Sequence, residues 1–423
     1  MLSHNEQLIR LATVVPDALS TAVVVGDPCF DRMRASVKLR DRYRRRLGAA
    51  PSTTVVTISS TWGPQSLLAS WPTLVREVLS ELPIDSYRVL LVAHPNVWYA
   101  HGPWQLRNWL ADATRAGLTL IEPAAGWQQS VLASDVLIGD HGAVTGYAAG
   151  LGIPVLLSTA LPADVVHGTA IDVLTRTAPR LAPNRPIREQ LNSALHPGST
   201  HQSPVIADLI SGHPDQSPTR LRTLFYRLIA LPEPAGEPAL HPYPASDLPA
   251  DREAVTATFV QGLVETRNGS AHVILDRLPA EVLRHRSPLL PPTDGHLTVH
   301  ADHPLRTLRA RAGILYCERA EAGADNLSWL TQTHRRWPAC RLTAIIDQDS
   351  CTVYAGPGHT AQISSLSTNE PTPLMFASAI YLWLSHGNNW QDLPNRLSIR
   401  TESNLPSTQV EVVQLGRATG LCH

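Results

Sequence analysis

The chain has 423 residues, 43% of them hydrophobic and 17% charged, enough for two or three domains with cores of their own. Its formal charge of −1 gives no electrostatic case for a nucleic-acid or acidic-lipid partner. A single lysine, Lys38, lies outside any Gly-Lys-Ser/Thr or Schiff-base context, which excludes a P-loop nucleotidase and a pyridoxal enzyme.

In chain order, NEQLIRLAT predicts a helix over Asn5–Thr13, led in by Ser3. A β-branched run predicts a strand over Thr21–Val25, ending in the polar turn Gly26-Asp27-Pro28-Cys29-Phe30-Asp31-Arg32-Met33. A basic helix is expected over Ser36–Gly48, with Arg40, Arg42, Arg44, Arg45 and Arg46 on a solvated face near its C-terminus and Gly48 as its cap. Apolar strands over Thr54–Ser59 and Tyr87–Ala93 end in Ser60-Thr61-Trp62-Gly63 and His94-Pro95-Asn96. Trp98 and Trp104, in the loop after His94, suit core packing and ligand stacking equally, whereas Trp109, at helical spacing with Leu106 and Leu110, reads as core.

The most pointed stretch is ASDVLIGDHGAVTGYAAGLGIPVLLST. A strand over Val136–Ile138 feeds Gly139-Asp140-His141-Gly142, a small-residue helix starts at about Ala143, and a buried strand follows over Val155–Leu157. A polar turn at the C-terminal end of a parallel strand is where open α/β sheets bind ligands. The helix there begins with free N–H groups and a partial positive charge, and Gly142 lets an anion come close, so a phosphate is the expected guest.

These four strand-end motifs, in this order, resemble the C-terminal nucleotide-binding half of the CDP-glycerol glycerophosphotransferases of teichoic-acid synthesis, members of the two-Rossmann GT-B transferases. The resemblance covers the first half of the chain. It implies an α/β fold with a Rossmann-like parallel sheet, and a glycerophospho- or glycosyltransferase using a CDP- or UDP-linked donor. By the same resemblance Gly26 and Asp31 shape the first loop, Ser60, Thr61 and Trp62 face the nucleotide, His94 reaches the diphosphate, and Asp140, His141, Gly142 and Ala143 cradle it. His94 and His141 would aid departure of the diphosphate. The scheme needs no metal and no cofactor.

The sequence departs from the family pattern at Cys29, where an arginine is usual, and at His141-Gly142-Ala143, where Tyr-Ser-Ser is usual. Thr145 is the available substitute hydroxyl, or merely a cap of its own turn. Only a short helix precedes the first strand, so the acceptor site is expected from the C-terminal part or from a separate N-terminal half on another polypeptide. These departures keep a second reading open: a non-catalytic nucleotide-binding or protein-interaction module.

Farther on, helices are predicted over Asp172–Arg180, Ile187–Leu195 and Pro218–Leu231, with HPGSTHQSP as loop. Six prolines in PEPAGEPALHPYPASDLP read as a linker. The expected division is a nucleotide-binding domain over 1–231, a linker over 232–250 and a separate α+β domain over 251–423. In the last, strands are expected over Thr256–Val264, His272–Leu275, His296–His300, Gly313–Cys317, Leu342–Ile346, Cys351–Tyr354 and Gln409–Leu415. Helices are expected over Asp325–Arg335 and Pro373–Ser385, a hairpin turn at DQDS, and a mainly antiparallel or mixed sheet. His386 reads as a helix stop, and Asp347 and Asp349 as turn chemistry. Five dispersed cysteines without C-x-x-C spacing suggest reduced, buried thiols. With no leader pattern and no long apolar window, the expectation is a cytoplasmic protein whose membrane contact is at most peripheral.

Overall fold

The computed structural model describes residues 1–158, 165–196, 198, 204–249, 253–267, 270–290, 294–366, 372–401 and 407–415. Most of the HPGSTHQSP loop and the last cysteine, Cys422, lie outside them. The chain divides into two compact units, Met1–Glu81 with Tyr87–Glu253, and Leu82–Ser86 with Ala254–His423.

The first unit is built on a five-stranded parallel sheet of β1 (Thr54–Ser60), β2 (Tyr87–Ala93), β3 (Leu118–Ile121), β4 (Val136–Gly139) and β5 (Val155–Leu157). The strands lie in the order β3-β2-β1-β4-β5. This is the Rossmann-like arrangement expected. Helices cover both faces, so β1 is buried at every position but its first, as a central parallel strand must be. The order reverses between β1 and β4, and register places the ends of β1, β2 and β4 side by side: Ser60 lies opposite Ala93, and Ile58 opposite Ile138.

Four local expectations are corrected in this unit. Thr21–Val25 does not join the sheet; Val24 makes only an isolated bridge with Leu2. The segment after it is a helix, Pro28–Ser36, because Asp27 accepts a hydrogen bond from the Phe30 N–H at 2.9 Å and Pro28 stands at the helix start, where no N–H is needed. The basic run is a 3₁₀ turn and a short helix, Arg40–Arg46, and its arginines are not all solvated. Arg40 and Arg44, four apart and so on one face, both bind Asp135, at 2.7 and 2.8 Å, and Arg44 is buried. Trp109 is half-exposed, with its ring meeting His101 edge-on.

The proline-rich stretch folds onto the first unit. Tyr43 Oη donates to the Tyr243 carbonyl at 2.7 Å, Gln129 Nε2 donates to Pro244 O and to Asp247, and Tyr243 and Leu248 are buried.

The second unit is a closed nine-stranded barrel, not an open α+β sheet. Its strands are β6 (Ala257–Arg267), β7 (Ser270–Pro279), β8 (Gly295–His300), β9 (Ile314–Glu318), β10 (Leu342–Ile346), β11 (Ser350–Tyr354), β12 (Thr360–Ser365), β13 (Arg396–Arg400) and β14 (Thr408–Leu415). They run β10-β11-β12-β14-β13-β7-β6-β8-β9, and β9 pairs with β10 to close the ring. Strands β12 and β13 were not expected from the sequence, and they supply the pairings with β11, β14 and β7 without which the ring stays open. The hairpin at DQDS forms as expected, with Asp347 N–H donating to Ser350 O. The helix Leu374–Ser385 is apolar on all sides, and such a helix must be buried all round. It packs against β6, β7, β9, β10, β11 and β13, sharing one core with Val260, Val273, Ile314, Ala344, Val353 and Leu397. Arg277 on β7 is buried and holds Asp85 in a two-pronged ion pair at 2.5 and 2.9 Å.

Candidate functional site

In an open parallel sheet the place where strand order reverses leaves a crevice beyond the strand ends. Here that crevice opens between the turn after β1, Thr61-Trp62-Gly63, and the turn after β4, Asp140-His141-Gly142.

Asp140 welds the two turns together. Its side chain is 1% exposed, and its carboxylate accepts from Thr61 N, Thr61 Oγ1, Leu67 N and Gly142 N at 2.8, 2.8, 2.9 and 3.2 Å. Both carboxylate oxygens are engaged by these donors, so Asp140 acts as a clamp between the turns. Gly142 is required by the same closeness, since a Cβ there would stand 2.7 Å from Thr61 Cγ2. Ser60 is likewise engaged: Oγ donates to Thr61 O and accepts from Leu68 N.

The groups left open lie around this clamp. The helix Ala143–Gly150 has Gly142 as its N-cap, which offers no side chain, and its first internal bond runs from Gly146 N to Gly142 O. The N–H groups of Ala143 and Val144 therefore precede the first internal bond and suit an anion. His141 is half-buried and its Nδ1 has no partner within the protein. His94, at the end of β2, accepts the Asn96 N–H on Nδ1 at 3.0 Å. That bond assigns the proton of the neutral ring to Nε2, which becomes a donor. Trp62, 58% exposed, is tilted against the His94 ring at 6.3 Å between centroids.

Ser60, Thr61, Trp62, His94, His141, Gly142 and Ala143 all line one cavity of about 390 Å³. Its lining also includes Glu122 and Pro123, which were not expected, and Trp127. Glu122 follows β3 and pairs with Arg107. The strand LTLI and the Glu-Pro after it were the signal, since the rule that singled out the other strand ends applies here too.

The remaining expected residues lie elsewhere. Asp31 is fully buried and accepts from Asp215 N at 2.8 Å, from Ser217 N at 3.0 Å and from Ser217 Oγ. Gly26, in the left-handed region at φ +87°, packs on His213 and Ser211. Both pin the segment 211–217, because the expected loop is a helix start. Thr145 is fully buried, with Oγ1 unpartnered and pressed against Gly139, so it neither caps the helix nor lines the cavity. Trp98 is core, with the Arg107 guanidinium 5.6 Å from its ring, and Trp104 is exposed.

A second cavity, of about 440 Å³, shares His141 and Ala143 with the first. Its other walls include Glu6 and Arg10 of the N-terminal helix, Asp27 and Tyr147. Tyr147 Oη donates to Asp27 at 2.9 Å, and burial together with that carboxylate holds its phenol well above the usual range. Burial likewise raises the Cys29 thiol nearby. His141 thus stands between two cavities. Among the described residues no group of three or more His, Cys, Asp or Glu side chains is placed to hold a metal ion, and no helix is long and apolar enough to cross a membrane.

No protein-family profile matches the chain, and neither does any curated protein. Solved structures are similar in part. One is the wall teichoic acid polymerase TagF, 17% identical with a TM-score of 0.27, the match covering 37% of each chain. Another is Alr3699/HepE of Anabaena in complex with UDP-glucose, 16% identical with a TM-score of 0.30, covering 46% of this chain and 53% of that one. A third is the C-terminal domain of LpcC, a glycosyl transferase group 1 family protein from Francisella tularensis, 12% identical with a TM-score of 0.27, covering 40% of this chain and 90% of that one. The chain spans little more than a third of the first and about half of the second.

Proposed function

We propose that the first unit binds a nucleotide-diphosphate-linked donor in the crevice between β1 and β4 and transfers the donor's glycosyl or glycerophosphoryl group. One observation carries this reading. The Nε2–H of His94 and the open N–H groups of Ala143 and Val144 belong to one cavity at the reversal point of the sheet, beside an exposed tryptophan.

The chemistry follows from the donors. The diphosphate takes the helix start, where N–H groups and the helix dipole offset its charge. His94 donates to a diphosphate oxygen as the bond to the transferred group breaks, which stabilises the charge that develops there. Trp62 offers a face on which a base can stack. The acceptor hydroxyl attacks from the cavity on the other side of His141, whose unpartnered nitrogen receives its proton. One observation favours the non-catalytic alternative: Asp140 is spent on the scaffold, leaving two imidazoles and the Arg107-paired Glu122 as the titratable groups of the cavity.

Calorimetric titration of the full chain with CDP, UDP, GDP and ADP tests the site. The expected result is binding of one diphosphate, weakened about tenfold in His94→Ala, the value of a charge-assisted hydrogen bond. Failure of all four to bind, or equal affinity in His94→Ala and His141→Ala, would overturn the assignment. Release of nucleoside diphosphate from a sugar-linked donor, or of nucleoside monophosphate from a glycerol-linked donor whose glycerophosphoryl group is transferred, separates the transferase from a module that only binds.

A further inference from the structure

The barrel has a cavity of its own, about 620 Å³, well within the range of ~300–1,000 Å³ typical of small-molecule pockets. It is lined by Leu263 on β6, by Asp294 and His296 at the start of β8, and by Tyr381, Leu382 and His386 on and after the helix Leu374–Ser385. His296 lies opposite Val260 in the β6–β8 register, so it points to the same face as a residue of the barrel core. It is 4% exposed, and neither ring nitrogen has a hydrogen-bond partner. Its ring stacks on Tyr381 with centroids 3.9 Å apart and planes 22° from parallel. Gly313 makes room for that tyrosine, since a Cβ there would stand 2.8 Å from its ring.

A histidine kept only for packing would be bonded, or would be a phenylalanine. Leaving both nitrogens dry forfeits their hydration for no return within the protein. Burial pushes the ring's pKa down to about 3, so it is neutral, with one nitrogen donating and the other accepting. No lysine or arginine lines the cavity, and Asp294 stands at its exposed rim, which disfavours an anion. Arg341, 5.6 Å from the Tyr381 ring, spends its donors on Ser385 Oγ and the Leu384 carbonyl. A hydroxyl is the group that fits either tautomer, because it both donates and accepts. Leu263, Leu382 and the Tyr381 ring suit a flat apolar body.

We propose that this cavity is a second ligand site, taking a small uncharged hydroxylated aromatic whose hydroxyl completes the hydrogen bonding of His296. It is independent of the nucleotide crevice. The test is a titration of the full chain, ¹⁵N-labelled at histidine, with phenol, with toluene and with inorganic phosphate. His296 is identified by the ring signals missing from His296→Phe, which keeps the stack on Tyr381 and removes the nitrogens. Phenol is expected to move those signals saturably and to bind about tenfold more tightly than toluene, a preference worth one hydrogen bond and absent from His296→Phe. Leu263→Trp, at the half-exposed wall, fills the cavity and is expected to abolish phenol binding, which keeps the proposal testable should the phenylalanine variant not fold. The proposal falls if phenol produces no saturable shift, if toluene binds as tightly, if phosphate moves the same signals, or if Leu263→Trp binds phenol unchanged.

Discussion

Asp140 in the parallel-sheet unit and His296 in the barrel are buried alike, yet one accepts from four donors and the other has no partner. The difference separates two uses of a buried polar group. A carboxylate satisfied by the backbone N–H groups of two turns is scaffold, and the groups it positions are the ones left open to a guest. An imidazole satisfied by nothing in the protein is itself left open. Burial and residue type alone do not make this distinction, since the strand-end motif singled out Asp140 as a ligand and passed over His296.

The comparison breaks most visibly at Asp140. Asp140→Leu strands three backbone N–H groups and should cost about 3–5 kcal/mol in denaturant unfolding, the usual result of removing one side of a buried charged network. A loss under about 1 kcal/mol would mean the clamp is not scaffold. The barrel holds its own satisfied charge, and Arg277→Met, which leaves Asp85 without its two-pronged partner, should cost about 3 kcal/mol. Arg277→Met with Asp85→Leu should recover much of that loss, which a double-mutant cycle reads directly.

His296 should behave in the opposite sense, and pH sharpens the contrast. Its folded pKa is depressed from 6.5 to about 3, so the unfolded chain takes up this proton first as pH falls, and stability is lost from about 6.5 downward. His296→Phe removes that loss. Relative to the wild type the variant should gain about 2 kcal/mol at pH 5, at ~1.36 kcal/mol per pKa unit, and about 1 kcal/mol or less at pH 7. An advantage that does not grow on acidification would show that the ring is bonded after all. The smallest effect is expected at Trp62: Trp62→Ala, on an exposed ring, should change stability by no more than about 0.5 kcal/mol while weakening nucleotide binding. Equal nucleotide affinity in this variant would remove Trp62 from the site.

Much of the frame was legible because its signals are local. Tyr87–Ala93, Val155–Leu157, Ile187–Leu195 and Leu342–Ile346 form as the sequence pattern predicts. Three strand ends of the four in the motif set meet at one cavity. What was not legible is what depends on partners far along the chain. Asp31 reads as a loop residue until its acceptor role toward Asp215 and Ser217, more than 180 positions away, is seen. Arg44 reads as solvated until Asp135 is placed beside it. Apolar alternation tells which face of a strand is covered but not which strand lies next to it. Thus TAQISS and RLSIR, too weakly apolar to stand out, hid the closure of the barrel.

The helix Leu374–Ser385 also fixes the order in which the barrel can be completed. It follows seven of the barrel's strands, β6 to β12, and precedes β13 and β14. The parallel pairing of β13 to β7 joins Leu397 to Ala271, so the ring cannot close until more than a hundred intervening residues have been gathered. Such non-local contacts come late and slowly, because the entropy of loop closure is lost before any contact rewards it. Until then an apolar helix waits beside unpaired strand edges, the condition in which a chain recruits its neighbours instead of itself.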